Sequence, residues 1–384
     1  MMRIVYITKS MALEGGLERV VCDKMNYLVG HGYDVTLITY EQGDHPFAYP
    51  VDSRINHYDL DVRFFLLYRY PLWKRLYYYR QYRSIFKERL QRTIDCVKPD
   101  VVIANTYSMN VADIIANLQT TAYRILESHV AFYIMRKTDS YRKIPLMRWL
   151  ANIYDWHTGV AVRKFDKVVT LTKGDAKDWL MLTDRVEVIP NPVTYYPPDV
   201  PVHKDNYYRI VCVGRLDEQK GIDLLIESFA QIASKCPQWH IDIYGSGDDE
   251  VLLRQMITDR NLQERIIIHA PTTNIYKEYQ ISDFLVLSSR YEGFGLVLLE
   301  AMSCGIPCVA FRCKYGPEDV IEDQKTGLLV DNGNIQDLGD KMLWMIHHPK
   351  ERLQMGQAAR QAAARFDKST IMQLWLNLFT RISS

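Results

Sequence analysis

Nothing in this sequence of 384 residues is apolar for long enough to cross a bilayer, because no run of 18 apolar residues occurs. Its opening, MMRIVYITKS, has four apolar residues between Arg3 and Lys9, which suits a first buried strand and is too short for a secretory signal. Net charge is nearly absent at +1, so the surface as a whole offers no field for a polyanion such as a nucleic acid. Cys22, Cys96, Cys212, Cys236, Cys304, Cys308 and Cys313 are too scattered for a disulfide framework or a C-x2-C zinc pair. They read as thiols of a reducing compartment, with Cys304, Cys308 and Cys313 in or beside core segments. The G-x-G-x-x-G fingerprint is missing too, which argues against a nicotinamide dinucleotide. What is plentiful is hydrophobic material, 48% of residues, enough for two domains of ordinary size.

That material is arranged in short apolar runs that alternate with helical patterns. Strands are expected over 3–7, 34–39, 101–105, 123–127, 167–171 and 186–189. Glu14-Gly15-Gly16 opens an amphipathic helix whose apolar positions include Leu17, Val20, Val21, Met25 and Leu28. Pro190, Pro192, Pro197, Pro198 and Pro201 then crowd a stretch, 190–206, that regular helix or central strand cannot accommodate, so a domain boundary falls there. A second series follows, with strands over 209–213, 240–244, 266–269, 284–287 and 308–311, helices over 222–235 and 296–304, a Gly245-Ser246-Gly247 turn, and a last helix over 370–382. The fold class is α/β, with two Rossmann-like domains, 1–192 and 207–366, followed by a terminal segment, 367–384.

The most informative stretch is SSRYEGFGLVLLEAMSCGIPCVAF, residues 288–311. It reads strand end, loop, helix, strand, with Glu292, Gly293, Phe294 and Gly295 in the loop and Leu296 at the helix start. Glycines let a ligand approach the backbone closely, and unpaired N–H groups at a helix start suit a phosphate. A carboxylate at Glu300 can accept from a pair of ribose hydroxyls, and Glu292 can do the same for a second sugar beyond a diphosphate. In Gly214-Arg215-Leu216-Asp217-Glu218-Gln219-Lys220-Gly221, two cations stand at the ends of a strand-to-helix loop, both able to reach one phosphate pair.

With its flanks FGLVLLEAM and CGIPCVA, the E-x7-E spacing resembles the donor-site signature of the retaining glycosyltransferases of family 4, and V-G-R-L-x-x-x-K-G resembles their diphosphate clamp. The resemblance implies the GT-B fold, in which the last helix crosses back to the first domain. It also implies that Glu300 holds the ribose of a nucleotide sugar, Glu292 faces the transferred sugar, and Arg215 and Lys220 hold the diphosphate. Gly15 and Gly16 match the family's GG loop. His129, just after the fourth strand, matches a histidine that contacts the donor sugar, although Val130 stands where many members carry Asp. Gly316-Pro317-Glu318 resembles a loop common in members acting on bacterial surface glycans, and Ala270-Pro271-Thr272 lies where relatives hold the base.

Two further motifs need weighing. Asp59-Leu60-Asp61 has the D-x-D form of a metal site but precedes a basic aromatic segment in place of a sugar-nucleotide core, and reads as an accident. Arg63 to Arg92 interleaves Arg and Lys with Phe, Trp, Tyr and Leu against the single Glu88. It suits either an anionic membrane surface or side chains snorkelling over a core. The resulting expectation is a metal-independent retaining hexosyltransferase without cofactor. It would move a hexose or N-acetylhexosamine from a nucleoside diphosphate sugar, a UDP sugar favoured, to a glycan or lipid-linked glycan of bacterial polysaccharide synthesis. It would work in the cytoplasm, including the inner face of the membrane. The alternatives are a nucleotide-sugar epimerase, a phosphorylase, or a non-catalytic sugar-nucleotide binder.

Overall fold

The apolar run after Arg3 becomes β1 (Arg3–Thr8), whose Ile4, Val5, Tyr6 and Ile7 are almost without exposure. A strand apolar on both faces needs cover on both, which is the situation inside a parallel sheet. The structure is a computed structural model and describes residues 1–13, 15–105, 109–135, 145–197 and 208–383. In it β1 lies between β2 (Asp34–Thr39) and β4 (Val101–Asn105) in a sheet of order β3-β2-β1-β4-β5-β6-β7, every pair parallel. The other members are β3 (Asn56–Asp59), β5 (Tyr123–Ser128), β6 (Lys167–Thr170) and β7 (Val186–Val188). Helix α1 (Gly16–Gly30) joins β1 to β2, buries Val20, Val21, Met25 and Leu28, and starts at Gly15. Glu14 lies outside the described residues.

The second sheet has the order β10-β9-β8-β11-β12-β13 and is again parallel. It contains β8 (Arg209–Val213), β9 (His240–Tyr244), β10 (Ile266–His269), β11 (Phe284–Leu287), β12 (Cys308–Phe311) and β13 (Gly327–Val330). Chain contacts divide the molecule into one unit of Met1–Ile189 with Met372–Ser384, and a second of Pro190–Ile371. Most of the last helix (Lys368–Ser383) therefore belongs to the first unit, where Trp375 and Phe379 are buried. Residues 198–206 of the proline-rich stretch lie outside the described residues.

Two strands had no counterpart in the sequence expectations, and both are sheet edges. β3 reads Asn-His-Tyr-Asp and is largely exposed, so it lacks an apolar signature. Asp59 at its end accepts from Thr39 Oγ1 at 3.0 Å and from the backbone N–H of Gly43 at 2.9 Å, and Asp61 pairs with Arg63, so both carboxylates of Asp59-Leu60-Asp61 serve local structure. β13, Gly327–Val330, is apolar and buried, and carried an apolar run that the sequence reading did not take up.

The basic aromatic segment packs in part on the first unit's core and leaves the rest of its side chains exposed. Helix α2 (Leu72–Val97) turns Phe86, Leu90 and Ile94 into the first unit's core, with Phe64 and Tyr82 packed against them. Its first turns leave Trp73, Leu76 and Tyr77 exposed, as are Phe65 and Tyr68 before it. Several cations are tied down: Arg75 donates to the carbonyls of Tyr68 and Tyr70, Arg83 to Asp113, and Arg89 to the carbonyl of Leu60. Arg69, Lys74 and Arg80 are exposed.

Candidate functional site

In an open parallel sheet, ligands settle where the strand order reverses, beyond the carboxyl ends of the two central strands. In the second unit that point lies between β8 and β11, and the loops leaving these strands are 214–221 and 288–295. They touch through Gly221, which adopts φ +59°, and a Cβ there would lie 2.1 Å from the Ser288 carbonyl oxygen. Only glycine allows both the left-handed turn and that approach.

This contact brings together residues 72 apart in sequence: Lys220 Nζ lies 2.7 Å from Glu292 Oε1. Ser289 Oγ donates to the same oxygen at 2.7 Å. The Glu292 carboxylate is buried among these partners, and the stem of Lys220 runs along Gly214. Behind Glu292, Phe294 points its ring inward against Phe366, centroids 5.8 Å apart, so only its backbone faces the loop. Gly295, at φ +84°, precedes the helix Leu296–Ser303, whose first turn has no side-chain cap and no acidic residue. Its leading N–H groups and partial positive charge are oriented for an anion.

Glu300 stands one turn into that helix, buried, with Oε2 accepting from Tyr279 O–H at 3.1 Å. Burial, then the neighbouring Glu300 carboxylate, pushes the Tyr279 hydroxyl well above its ordinary value, so it remains a donor. Arg215 is not gathered with these groups. Its side chain is 66% exposed and is held by Asp217 at 3.0 Å and Gln219 at 2.6 Å. Sequence reasoning did not single out Ser289 or Tyr279, because a lone hydroxyl carries no local signal. It had singled out the Gly316 loop, but not its fit: at φ +103° a Cβ on Gly316 would meet the Phe294 carbonyl oxygen at 2.4 Å.

The first unit holds its own polar cluster. Gly15 and Gly16 open α1 beyond the end of β1, and His129 follows β5 at the carboxyl edge of the sheet. Glu127, last but one in β5, has Oε1 2.5 Å from Lys24 Nζ and 3.1 Å from His129 Nε2. Burial alone would raise the Glu127 carboxyl, but Lys24 and then His129 hold it down at about 2. Burial lowers Lys24 against the opposing pull of Glu127.

Comparison with known proteins gives a consistent result. The family model for glycosyl transferases group 1 matches residues 198–362, and that for glycosyltransferase family 4 matches residues 14–195. A Haemophilus influenzae protein described as an uncharacterized glycosyltransferase is 28% identical over 98% of this chain and 99% of its own. The amylovoran biosynthesis glycosyltransferase of Erwinia amylovora is 26% identical over 98% of this chain and 99% of its own. The poly(ribitol-phosphate) α-N-acetylglucosaminyltransferase of Staphylococcus aureus is 34% identical over 56% of this chain and 44% of its own. Among solved structures, a variant of S. aureus TarM with fondaparinux, α-GlcNAc-glycerol and UDP superposes with a TM-score of 0.77 at 19% identity, covering 99% of this chain and 100% of that one.

Proposed function

The chain belongs to the group 1 and family 4 glycosyltransferases of GT-B fold, and we propose that within them it is a retaining, metal-independent enzyme. It moves a hexose or N-acetylhexosamine from a nucleoside diphosphate sugar, a UDP sugar first, to a bacterial surface glycan or lipid-linked glycan. The observation that carries this reading is the Lys220–Glu292 pair beside the uncapped start of the helix Leu296–Ser303. Lys220 has three donors and spends one on Glu292, leaving two for diphosphate oxygens beside the helix N–H groups. Arg215 reaches the same group by leaving Asp217 and Gln219, since an exposed ion pair is worth only about 0–1 kcal/mol. Glu300 takes the ribose hydroxyls, and the Glu292 loop takes the sugar.

These groups stabilise the negative charge that grows on the leaving diphosphate, which is the main electrostatic task of the transfer. Glu292 is a poor covalent nucleophile, because its Oε1 already accepts from both Lys220 and Ser289. The reading is therefore a same-face displacement: the bond from the anomeric carbon to the diphosphate breaks, the acceptor oxygen bonds to that carbon on the same face, and its proton passes to the departing phosphate. In the first unit, the family resemblance gives His129, Gly15 and Gly16 a part in serving the sugar.

The relatives' names support a bacterial glycan or polyol-phosphate acceptor, since one acts in amylovoran biosynthesis and another is a poly(ribitol-phosphate) α-N-acetylglucosaminyltransferase. Among the described residues no helix is long and apolar enough to cross a membrane. The exposed Trp73, Leu76 and Tyr77 with Arg69, Lys74 and Arg80 suit docking on an anionic membrane surface at its cytoplasmic side. A second aromatic face, Trp149, Ile153 and Trp156 on the helix Pro145–Val162 of the same unit, adds apolar contact area. The experiment is a screen of UDP-, GDP- and ADP-sugars for nucleotide release, run with and without excess EDTA, followed by proton NMR of the product's anomeric configuration. Inversion, or activity lost to EDTA and restored by magnesium or manganese, defeats the reading.

A further inference from the structure

The geometry points to Lys24 and Glu127 as positioning residues for His129, which they hold at the carboxyl edge of β5 by a buried ion pair. This inference rests on the proposed reading of His129 as a residue that serves the sugar. Lys24 projects from α1 among the core positions Val20, Val21, Met25 and Leu28, a place where an apolar side chain would be ordinary. It is only 1% exposed, as is Glu127. Trp375 of the last helix closes over its ammonium, 3.7 Å from Nζ to the ring centroid, and the ring of Tyr6 lies 5.6 Å away.

Such a pair is a costly way to hold a helix on a sheet. Desolvating two charges offsets most of their attraction, and an apolar pair of the same volume commonly does as well or better. Stability alone therefore does not account for the pair.

Its surroundings are incompletely satisfied on one side. Among the described residues, Glu127 Oε2 and His129 Nε2 are buried without a hydrogen-bond partner, although Nε2 lies 3.1 Å from Glu127 Oε1. The same holds for Thr8 Oγ1 and both side-chain polar atoms of Asn105. The register aligns Asn105 with Glu127 across β4 and β5, and Ile7 with Ala104 across β1 and β4, so Thr8, Asn105 and Glu127 form one row at the carboxyl ends of the three strands. Buried polar atoms are nearly always paired, and a row of exceptions at the ligand edge of a parallel sheet marks a place held for function. Hydrogen bonds of this kind often align only when substrate is bound. With its carboxylate held by Lys24, Glu127 keeps Oε1 3.1 Å from His129 Nε2, an approach that orients the ring when it closes to a hydrogen bond with substrate present. In this way α1 and the last helix act on the site without touching the substrate.

The test compares Glu127→Gln, Lys24→Met/Glu127→Gln and His129→Asn with the parent. The probe is whichever of UDP-glucose, UDP-galactose or UDP-N-acetylglucosamine releases UDP fastest. The single variant leaves a buried ammonium unpaired, so its thermal midpoint falls. The double variant removes both charges and regains the midpoint. If the pair positions His129, the double variant remains at least tenfold slower in kcat with donor KM within threefold. If the charges serve only folding, kcat returns with the midpoint, and that result overturns the proposal.

A second readout needs no turnover. In protein labelled with ¹⁵N at histidine, the His129 ring nitrogens, identified by their loss in His129→Asn, change their protonation pattern in the double variant. An unchanged pattern overturns the proposal. Parent-like kcat in His129→Asn would instead refute the role of His129 in the sugar site while the ring spectrum still decides whether Lys24 and Glu127 hold it.

Discussion

Replacing Glu300 by Gln tests the proposed donor site at its most specific point. The side chain is 8% exposed and keeps an oxygen to accept from Tyr279 O–H, so the fold has no reason to change. What is lost is the negative charge that a ribose diol would meet. A hydrogen bond to a charged group is worth about 1.5–3 kcal/mol, against about 0.5–1.5 kcal/mol for a neutral one. With two hydroxyls on one carboxylate the difference is about 2–3 kcal/mol, a loss of about 30- to 150-fold in affinity. Titration calorimetry would measure whichever of UDP, GDP or ADP binds the parent, alongside inorganic pyrophosphate, which has no ribose. Nucleotide affinity is expected to fall by that factor while pyrophosphate affinity stays within threefold. Equal losses for both ligands would place Glu300 at the phosphates, and nucleotide affinity within threefold of the parent would remove it from the site.

Gly221→Ala is expected to lose several kcal/mol of stability, since φ +59° and a Cβ 2.1 Å from the Ser288 carbonyl oxygen cannot both be relieved without moving the 288–295 loop; a thermal midpoint equal to the parent's would contradict that packing. Glu127 is depressed from 4.5 to about 2, so the stability it contributes is complete above pH 4.5 and disappears as pH falls towards 2. The parent should therefore lose about 3 kcal/mol more than Lys24→Met/Glu127→Gln between pH 5 and pH 2 in urea titrations, and parallel losses would show that the pair carries no such linkage. Changing Arg69, Lys74 and Arg80 to Gln together with Trp73→Ser should leave folding intact, because all four are exposed. It should also abolish flotation with anionic liposomes at low salt, each basic residue near anionic lipid contributing about 1 kcal/mol; unchanged flotation, or none by the parent, sinks the membrane reading.

How much was legible in advance follows from how local each signal is. β2, β4, β8, β9, β11 and β12 occupy the residues expected of them, because a strand inside a parallel sheet must be apolar on both faces and short apolar runs say so directly; the edge strand β10 was equally visible because it reads Ile-Ile-Ile. The edge strand β3 gave a weaker signal for the complementary reason, being polar and largely exposed. The Glu292–Glu300 spacing and the Arg215–Lys220 loop were visible because each is one contiguous loop and helix start, and the glycines that such loops need are conspicuous.

The sequence by itself thus determined the two parallel-sheet series, the loops that carry glycine and charge, and the glycosyltransferase resemblance. Tertiary structure alone decided which charges meet. Lys220 pairs with Glu292 across 72 residues because Gly221 lets two loops touch. Lys24 pairs with Glu127 across 103 residues and is sealed by Trp375 from the far end of the chain. In the sequence Lys24 is one cation on an amphipathic helix, and nothing within a helical turn of it tells a solvated ammonium from a buried one. That distinction depends on desolvation and on a partner strand, and both exist only once the sheet and the last helix have closed around it.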